Sequence, residues 1–190
     1  MAPTRRLSPR LRAVLAACSG PSLVDVGYDH GLLLQALATM RPGWRLYGVE
    51  RLRGAPAWAA LPSGVQLLRG DGLQALAPGT VRCAVFAGLG EERIRLLLQR
   101  DAAQRRALSR LVICPSAHDG RLRPWLFERG WRSAGDRLVR DARRIYCVGT
   151  LEPGRESCTD PELRRLGPGL VGDPLLPQWQ GFMRRRFGGQ

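Results

Sequence analysis

The sequence predicts an α/β fold, a mainly parallel sheet covered by helices on both faces and closed at one edge by an antiparallel hairpin. Five short apolar runs, 22–26, 45–49, 65–68, 83–87 and 111–114, alternate with stretches whose apolar residues recur at helical spacing. Runs this short and this apolar belong to strands buried on both faces, which is the signature of a parallel sheet between helical layers. After Gly130 the period changes. Residues 131–139 and 144–151 read as two extended segments around the polar turn Arg140-Asp141-Ala142-Arg143, an antiparallel hairpin.

Taken in order, residues 7–17 set Leu7, Leu11, Val14 and Leu15 on one face with Arg6, Arg10 and Arg12 elsewhere, the pattern of an amphipathic helix with a basic polar side. The first strand is closed by Gly27 and followed by a helix from Asp29 to Met40 and a turn at Pro42-Gly43. The second strand ends in Glu50 and leads to a short helix near 54–60, and the third runs into Gly70-Asp71-Gly72. The fourth meets Gly88-Leu89-Gly90 and a helix to about Arg100, and the fifth meets Pro115-Ser116 and a helix over about 119–129. From Glu152 the chain is rich in Pro and Gly, so a main domain over 1–153 and a C-terminal appendage over 154–190 are expected.

The chain has 190 residues, 44% of them apolar and 24% charged, which suits one soluble globular domain and excludes a disordered or fibrous protein. Its 30 basic and 16 acidic side chains leave a net charge of +14, which points to a polyanionic partner such as nucleic acid. Every basic residue is Arg and there is neither Lys nor Asn, so part of this excess reflects compositional bias. The longest apolar runs fall far short of the ~20 residues that cross a bilayer, and the apolar part after Arg12 is too short for a secretory leader. A cytoplasmic protein without a membrane anchor is expected. The five cysteines are scattered without metal-ligand spacing, which predicts reduced thiols and no metal site.

In an open parallel sheet, ligands sit beyond the carboxyl ends of the strands. Asp25-Val26-Gly27 closes the first strand, where a glycine lets a ligand approach the backbone. Glu50, followed by Arg51, is placed to accept hydrogen bonds from two ribose hydroxyls. Asp71 is placed to accept from an exocyclic adenine amine beside the backbone N–H of Gly72, and Ala87-Gly88-Leu89 closes the fourth strand. The full G-x-G-x-x-G pattern is missing, so a single nucleoside is favoured over a dinucleotide. Together these residues suit S-adenosylmethionine.

The chain resembles the bacterial tRNA (adenine-22-N1)-methyltransferase family over about residues 7–180. The resemblance is carried by Leu7-Ser8-x-Arg10-Leu11, by Asp25-Val26-Gly27-Tyr28-Asp29-His30, and by Glu50 with Gly54. It continues through Gly70-Asp71-Gly72-Leu73, Ala87-Gly88-Leu89-Gly90, Cys114-Pro115-Ser116-Ala117-His118, and Leu122-Arg123-Pro124-Trp125-Leu126 with Gly130-Trp131. It implies a Rossmann-like class I S-adenosylmethionine-dependent methyltransferase that modifies N1 of an adenine in tRNA. Asp29 would then hydrogen-bond the adenine N6 amine as positive charge develops, with helix capping as the alternative. His30 would orient Asp29 or touch the substrate, with a structural role as the alternative. Ser116 stands where the family carries an amide, Glu91 where it carries Gly, and Tyr28 where it carries Ser. The family's C-terminal coiled coil is absent or reduced to the last dozen residues.

Arg5, Arg6, Arg10, Arg121 and Arg123, with Arg184–Arg186 in the tail, are candidates for phosphate contacts. The expected partner is tRNA, bound by a monomer. Two further functional classes stay open: a methyltransferase with another RNA or a small-molecule acceptor, and a non-catalytic RNA-binding protein that keeps the fold.

Overall fold

The computed structural model describes residues 7–51, 62 and 64–187, the last two as backbone alone from Arg186. Seven strands, β1 (Ser22–Val26), β2 (Arg45–Glu50), β3 (Val65–Arg69), β4 (Cys83–Ala87), β5 (Arg110–Cys114), β6 (Trp131–Asp141) and β7 (Arg144–Pro153), form one sheet in the order β3-β2-β1-β4-β5-β7-β6. The first five are parallel, whereas β7 runs antiparallel to both β5 and β6. The strand order reverses between β1 and β4, and the crevice at such a reversal is where ligands bind in this class of sheet.

Alternation along the central strands feeds two cores. In β4, Ala84 and Phe86 join the core on the side of α3 (Glu91–Arg100) and α5 (Leu122–Phe127), where Ile94, Leu98 and Leu122 are fully buried. Cys83 and Val85 face the other way, against Val14 of α1 (Pro9–Ala17) and Leu34 and Leu37 of α2 (Leu32–Met40). The short α4 (Ala102–Ala107) continues the α3 side. A third core lies on the hairpin, where Leu138 and Cys147 pack with Leu166 of α6 (Pro161–Leu166), with Leu170, and with Trp179 and Met183 of α7 (Leu176–Phe187). Burying Trp179 to 1% exposure fastens α7 to β6 and β7.

Several elements differ from expectation in their bounds. The first helix starts at Pro9 because Ser8 caps it, its Oγ accepting from Leu11 N at 3.4 Å. The second starts at Leu32 and not at Asp29, because Tyr28 turns into the core and Gly31 becomes the N-cap. The fifth helix spans only 122–127, since the amides of Asp119 and Gly120 are taken by Glu91. The hairpin turn is Ala142-Arg143, because Asp141 and Arg144 still pair. The helix expected near 54–60 lies outside the described residues. Cys18, Cys83, Cys114 and Cys147 are buried and all five cysteines are unbridged. Among the described residues no helix is long and apolar enough to cross a membrane.

Candidate active site

The carboxyl ends of β1, β2, β4 and β5 form one rim. Register places Val26 beside Val49 and Phe86, and Ala87 beside Cys114, and Gly27 N donates to Val49 O at 2.8 Å. Two glycines stand on this rim. Gly27 and Gly88 both have positive φ, +76° and +104°. A side chain at Gly88 would meet nothing within 4 Å except the tip of Arg10. Leu89 lies alongside Gly27 and joins the core below.

Beyond the strands, β4 and β5 stay zipped. Gly88 N donates to Cys114 O, Ser116 N to Leu89 O and Glu91 N to Ala117 O, and the Ser116 hydroxyl donates to Gly88 O at 2.6 Å. Ser116 is exposed, and its oxygen keeps acceptor capacity toward the rim.

Asp25 is buried at the foot of the crevice, and burial pushes its carboxyl up to about 7; Arg10 offsets part of this effect and Glu50 adds to it. The three groups are thus electrostatically coupled across the rim. Because the folded pKa lies above the unfolded one, the folded state retains a proton between pH ~4 and 7 that the unfolded chain has lost, so this residue's contribution to stability declines as pH rises through that window. Asp25→Asn is therefore expected to raise Tm relative to the parent above pH 7, with the gain shrinking toward pH 4. A Tm difference that is constant with pH would sink the assignment.

Glu50 ends β2 with its Oε1 accepting from Arg51 N at 2.8 Å, and Arg51 is exposed. Asp29 is 77% exposed and His30 48%, their side chains 3.8 Å apart at the mouth of the β1–α2 loop. Asp29 has φ +48° and caps no helix, since Gly31 takes that position. The capping alternative for Asp29 is thereby excluded.

Two candidate residues are placed otherwise than their sequence suggests. Asp71 is not a free carboxylate but is ion-paired with two arginines. Its oxygens are held by Arg93 at 2.5 Å and Arg100 at 2.9 Å from α3, where these arginines, seven residues apart, share a face. Burial would raise its carboxyl, but the two guanidiniums hold it below its usual range. Gly72 is buried next to Asp101, which accepts from Leu73 N at 2.6 Å. Arg123 cannot reach phosphates: it is 4% exposed, pairs with Asp136 at 2.7 Å and lies over Gly149, where any Cβ would collide with its guanidinium. Its sequence position near a strand end gave no sign of this, because its partner is contributed by β6.

Arg121 is exposed beside Asp119, and Arg5 and Arg6 lie outside the described residues. Arg10 reaches further than a surface phosphate contact. Its guanidinium lies 5.3 Å from the Tyr146 ring centroid and near Gly88 and Cys114. Glu91 does not fill the rim: it is buried, bonded to His118 Nδ1 at 2.9 Å and to the amides of Asp119 and Gly120. Burial alone would raise its carboxyl, but these partners hold it down to about 2. Tyr28 packs beneath the rim against Gly48 and Leu34.

An open α/β sheet of this order, closed by an inserted antiparallel strand and carrying an acidic residue after β2, is the class I methyltransferase architecture. Residues 7–148 match the methyltransferase-domain family, and the chain belongs to that family. It is 24% identical over 181 residues to the tRNA (adenine(22)-N(1))-methyltransferase of Bacillus subtilis, covering 90% of this chain and 75% of that protein. Among solved structures, Streptococcus pneumoniae Sp1610 in complex with S-adenosyl-L-methionine aligns with TM-score 0.82 at 24% identity over 95% of this chain and 89% of that one. The Bacillus subtilis m1A22 tRNA methyltransferase structure aligns with TM-score 0.79 at 22% identity, over 95% and 84%.

Proposed function

We propose that this protein transfers the methyl group of S-adenosylmethionine to N1 of adenine 22 in tRNA, acting in the cytoplasm. The observation that supports the reading is the rim itself, where Gly27, Gly88 and Glu50 stand at the carboxyl ends of three neighbouring strands with an exposed Asp29 beside them. The name of the Bacillus subtilis relative supplies the acceptor.

The residues present fit such a nucleoside: Gly88 leaves open space beside its backbone, Gly27 ends the adjacent strand, and a carboxylate ends the strand beyond it. When bound, the cofactor supplies an electrophilic methyl carbon on its sulfonium. Glu50 would hold the ribose hydroxyls, and Asp25 with Ala87, Gly88 and Leu89 would line the floor. The zipped loops fix the relative positions of Gly88 and Ser116. Adenine N1 has its own lone pair, so no strong base is required; what must be stabilised is the positive charge that grows on the base. Asp29 accepts a hydrogen bond from the N6 amine as that amine becomes acidic, with His30 orienting it. Ser116 offers an acceptor on the opposite side of the rim. An adenine inside a helical arm would have to be unstacked to reach them.

The test is incubation of the protein with S-adenosylmethionine and unmodified tRNA, followed by nucleoside mass spectrometry and position mapping. One N1-methyladenosine at position 22 is expected. Cofactor binding without any methylated adenine, or methylation elsewhere in the tRNA, would overturn the assignment.

A further inference from the structure

A cleft of about 750 Å³ separates the tip of the β6–β7 hairpin from α7, and its inner end is formed by Pro115 and Ser116 of the rim. Among the described residues its walls carry Arg140, Arg143, Arg144 and Arg185 and no carboxylate. Elsewhere on the molecule some arginines are ion-paired, Arg93 and Arg100 with Asp71, Arg123 with Asp136, Arg132 with Glu152 and Arg184 with Glu162, and others stand singly on the surface. The contrast within α7 is direct, because Arg184 is paired outside the cleft while the adjacent Arg185 lines it. Compositional bias explains an abundance of arginine spread over a surface; what sets this cavity apart is that four of them converge on it, and among the described residues none of the four is ion-paired.

The same walls carry aromatic surface. Tyr146 lies on the hairpin side, its ring against Arg10, which links the cleft to the crevice at Gly88. Phe182 lies on the helix side, 41% exposed, stacked on the buried Trp179 at 5.6 Å and 21°. Trp179 in turn meets His118 edge-on at 4.8 Å, so the platform is supported from beneath by the loop that follows β5. Arg140 also bonds Gln178 at 2.6 Å, fixing the hairpin to α7 and the width of the groove. A positively charged groove with an exposed aromatic face is the construction that takes single-stranded nucleic acid, the cations on phosphates and the ring beneath a base.

We propose that this cleft binds an unpaired stretch of RNA, with Arg143, Arg144 and Arg185 on its phosphates and Phe182 stacking a base, next to the rim where the acceptor adenine enters. The proposal deepens the tRNA reading and rests on it for the identity of the RNA, but the surface is assigned from its own charge and shape.

The probe is a fluorescent 12-nucleotide single-stranded RNA unrelated to tRNA, titrated with the full chain over a range of salt concentrations. Arg143→Glu/Arg185→Glu is expected to weaken binding at least about tenfold and to lower the slope of log K against log salt by roughly one per arginine. Phe182→Ala is expected to weaken binding while keeping the slope. Arg184→Glu, outside the cleft, is the control and is expected to cost less than the cleft variants. Thermal melting of each variant separates loss of fold from loss of contact. Parental affinity in the double variant, or an equal loss in Arg184→Glu, overturns the proposal. RNA binding lost through the cleft in a protein that methylates no tRNA would leave the cleft standing and remove the tRNA reading. Methylation with an unaffected double variant would do the reverse.

Discussion

Asp29→Asn is expected to lower the rate of methyl transfer to tRNA by roughly 10²–10³-fold while leaving S-adenosylmethionine affinity unchanged. The residue is well suited to such a separation. Its side chain is 77% exposed and caps no helix, so removing its charge withdraws little from the fold. Its φ of +48° makes the choice of replacement matter: Asn tolerates the left-handed region, whereas Ala would add a backbone cost of about 1–2 kcal/mol. Asp29→Gly removes the carboxylate without backbone strain and should reproduce the Asn result. Glu50→Gln should show the opposite phenotype, a cofactor affinity lower by about tenfold or more from loss of charged hydrogen bonds to the ribose. Single-turnover kinetics and calorimetry check both variants. Equal loss of cofactor affinity in the two would remove Asp29 from the chemistry and make it part of the cofactor cradle.

Arg123→Met is expected to destabilise the protein by about 3–5 kcal/mol, on the order of 10 °C in Tm. The cost comes less from a lost attraction than from the charge left behind. Asp136 is fully buried, and without Arg123 it retains only the hydroxyl of Ser133 at 2.6 Å and the amide of Gly169 at 2.9 Å. Arg123→Met/Asp136→Asn removes that uncompensated charge and should recover part of the loss. Thermal or denaturant unfolding measures it, and a double variant no more stable than the single would show that the ion pair is not the source. The same pair joins α5 to β6 and, through Gly169, to the segment before α7, so tRNA methylation is expected to fall only as far as the folded fraction does.

The parallel strands were legible because each is a short apolar run, and the β5-β7-β6 edge was legible from the change in period after Gly130. The placement of Glu50, Gly27 and Gly88 at the ends of neighbouring strands was legible because it is local information. What escaped was set by distant partners. Asp71 looked like an adenine acceptor until α3, more than twenty residues on, brought Arg93 and Arg100 to it. Arg123 looked like a surface base until Asp136 buried it. Trp179 sits in a Pro-rich segment with no clear periodicity, and only the hairpin's outer face explains its burial. Glu91 gave a local hint, a helix-first carboxylate, but its partner His118 comes from the loop after β5, 27 residues on. The arginines of the hairpin turn read as loop polarity, because the helix facing them was not identifiable.

The pairing that carries β4 and β5 on into their loops, ending in the Gly90–Ala117 bridge, has a mechanical result. One wall of the crevice is an extension of the sheet and has no hinge of its own. Among the described residues, the parts of the rim outside this pairing are the Tyr28–Gly31 turn and the hairpin tip, so a change in the width of the crevice on their side would leave the β4–β5 wall in place.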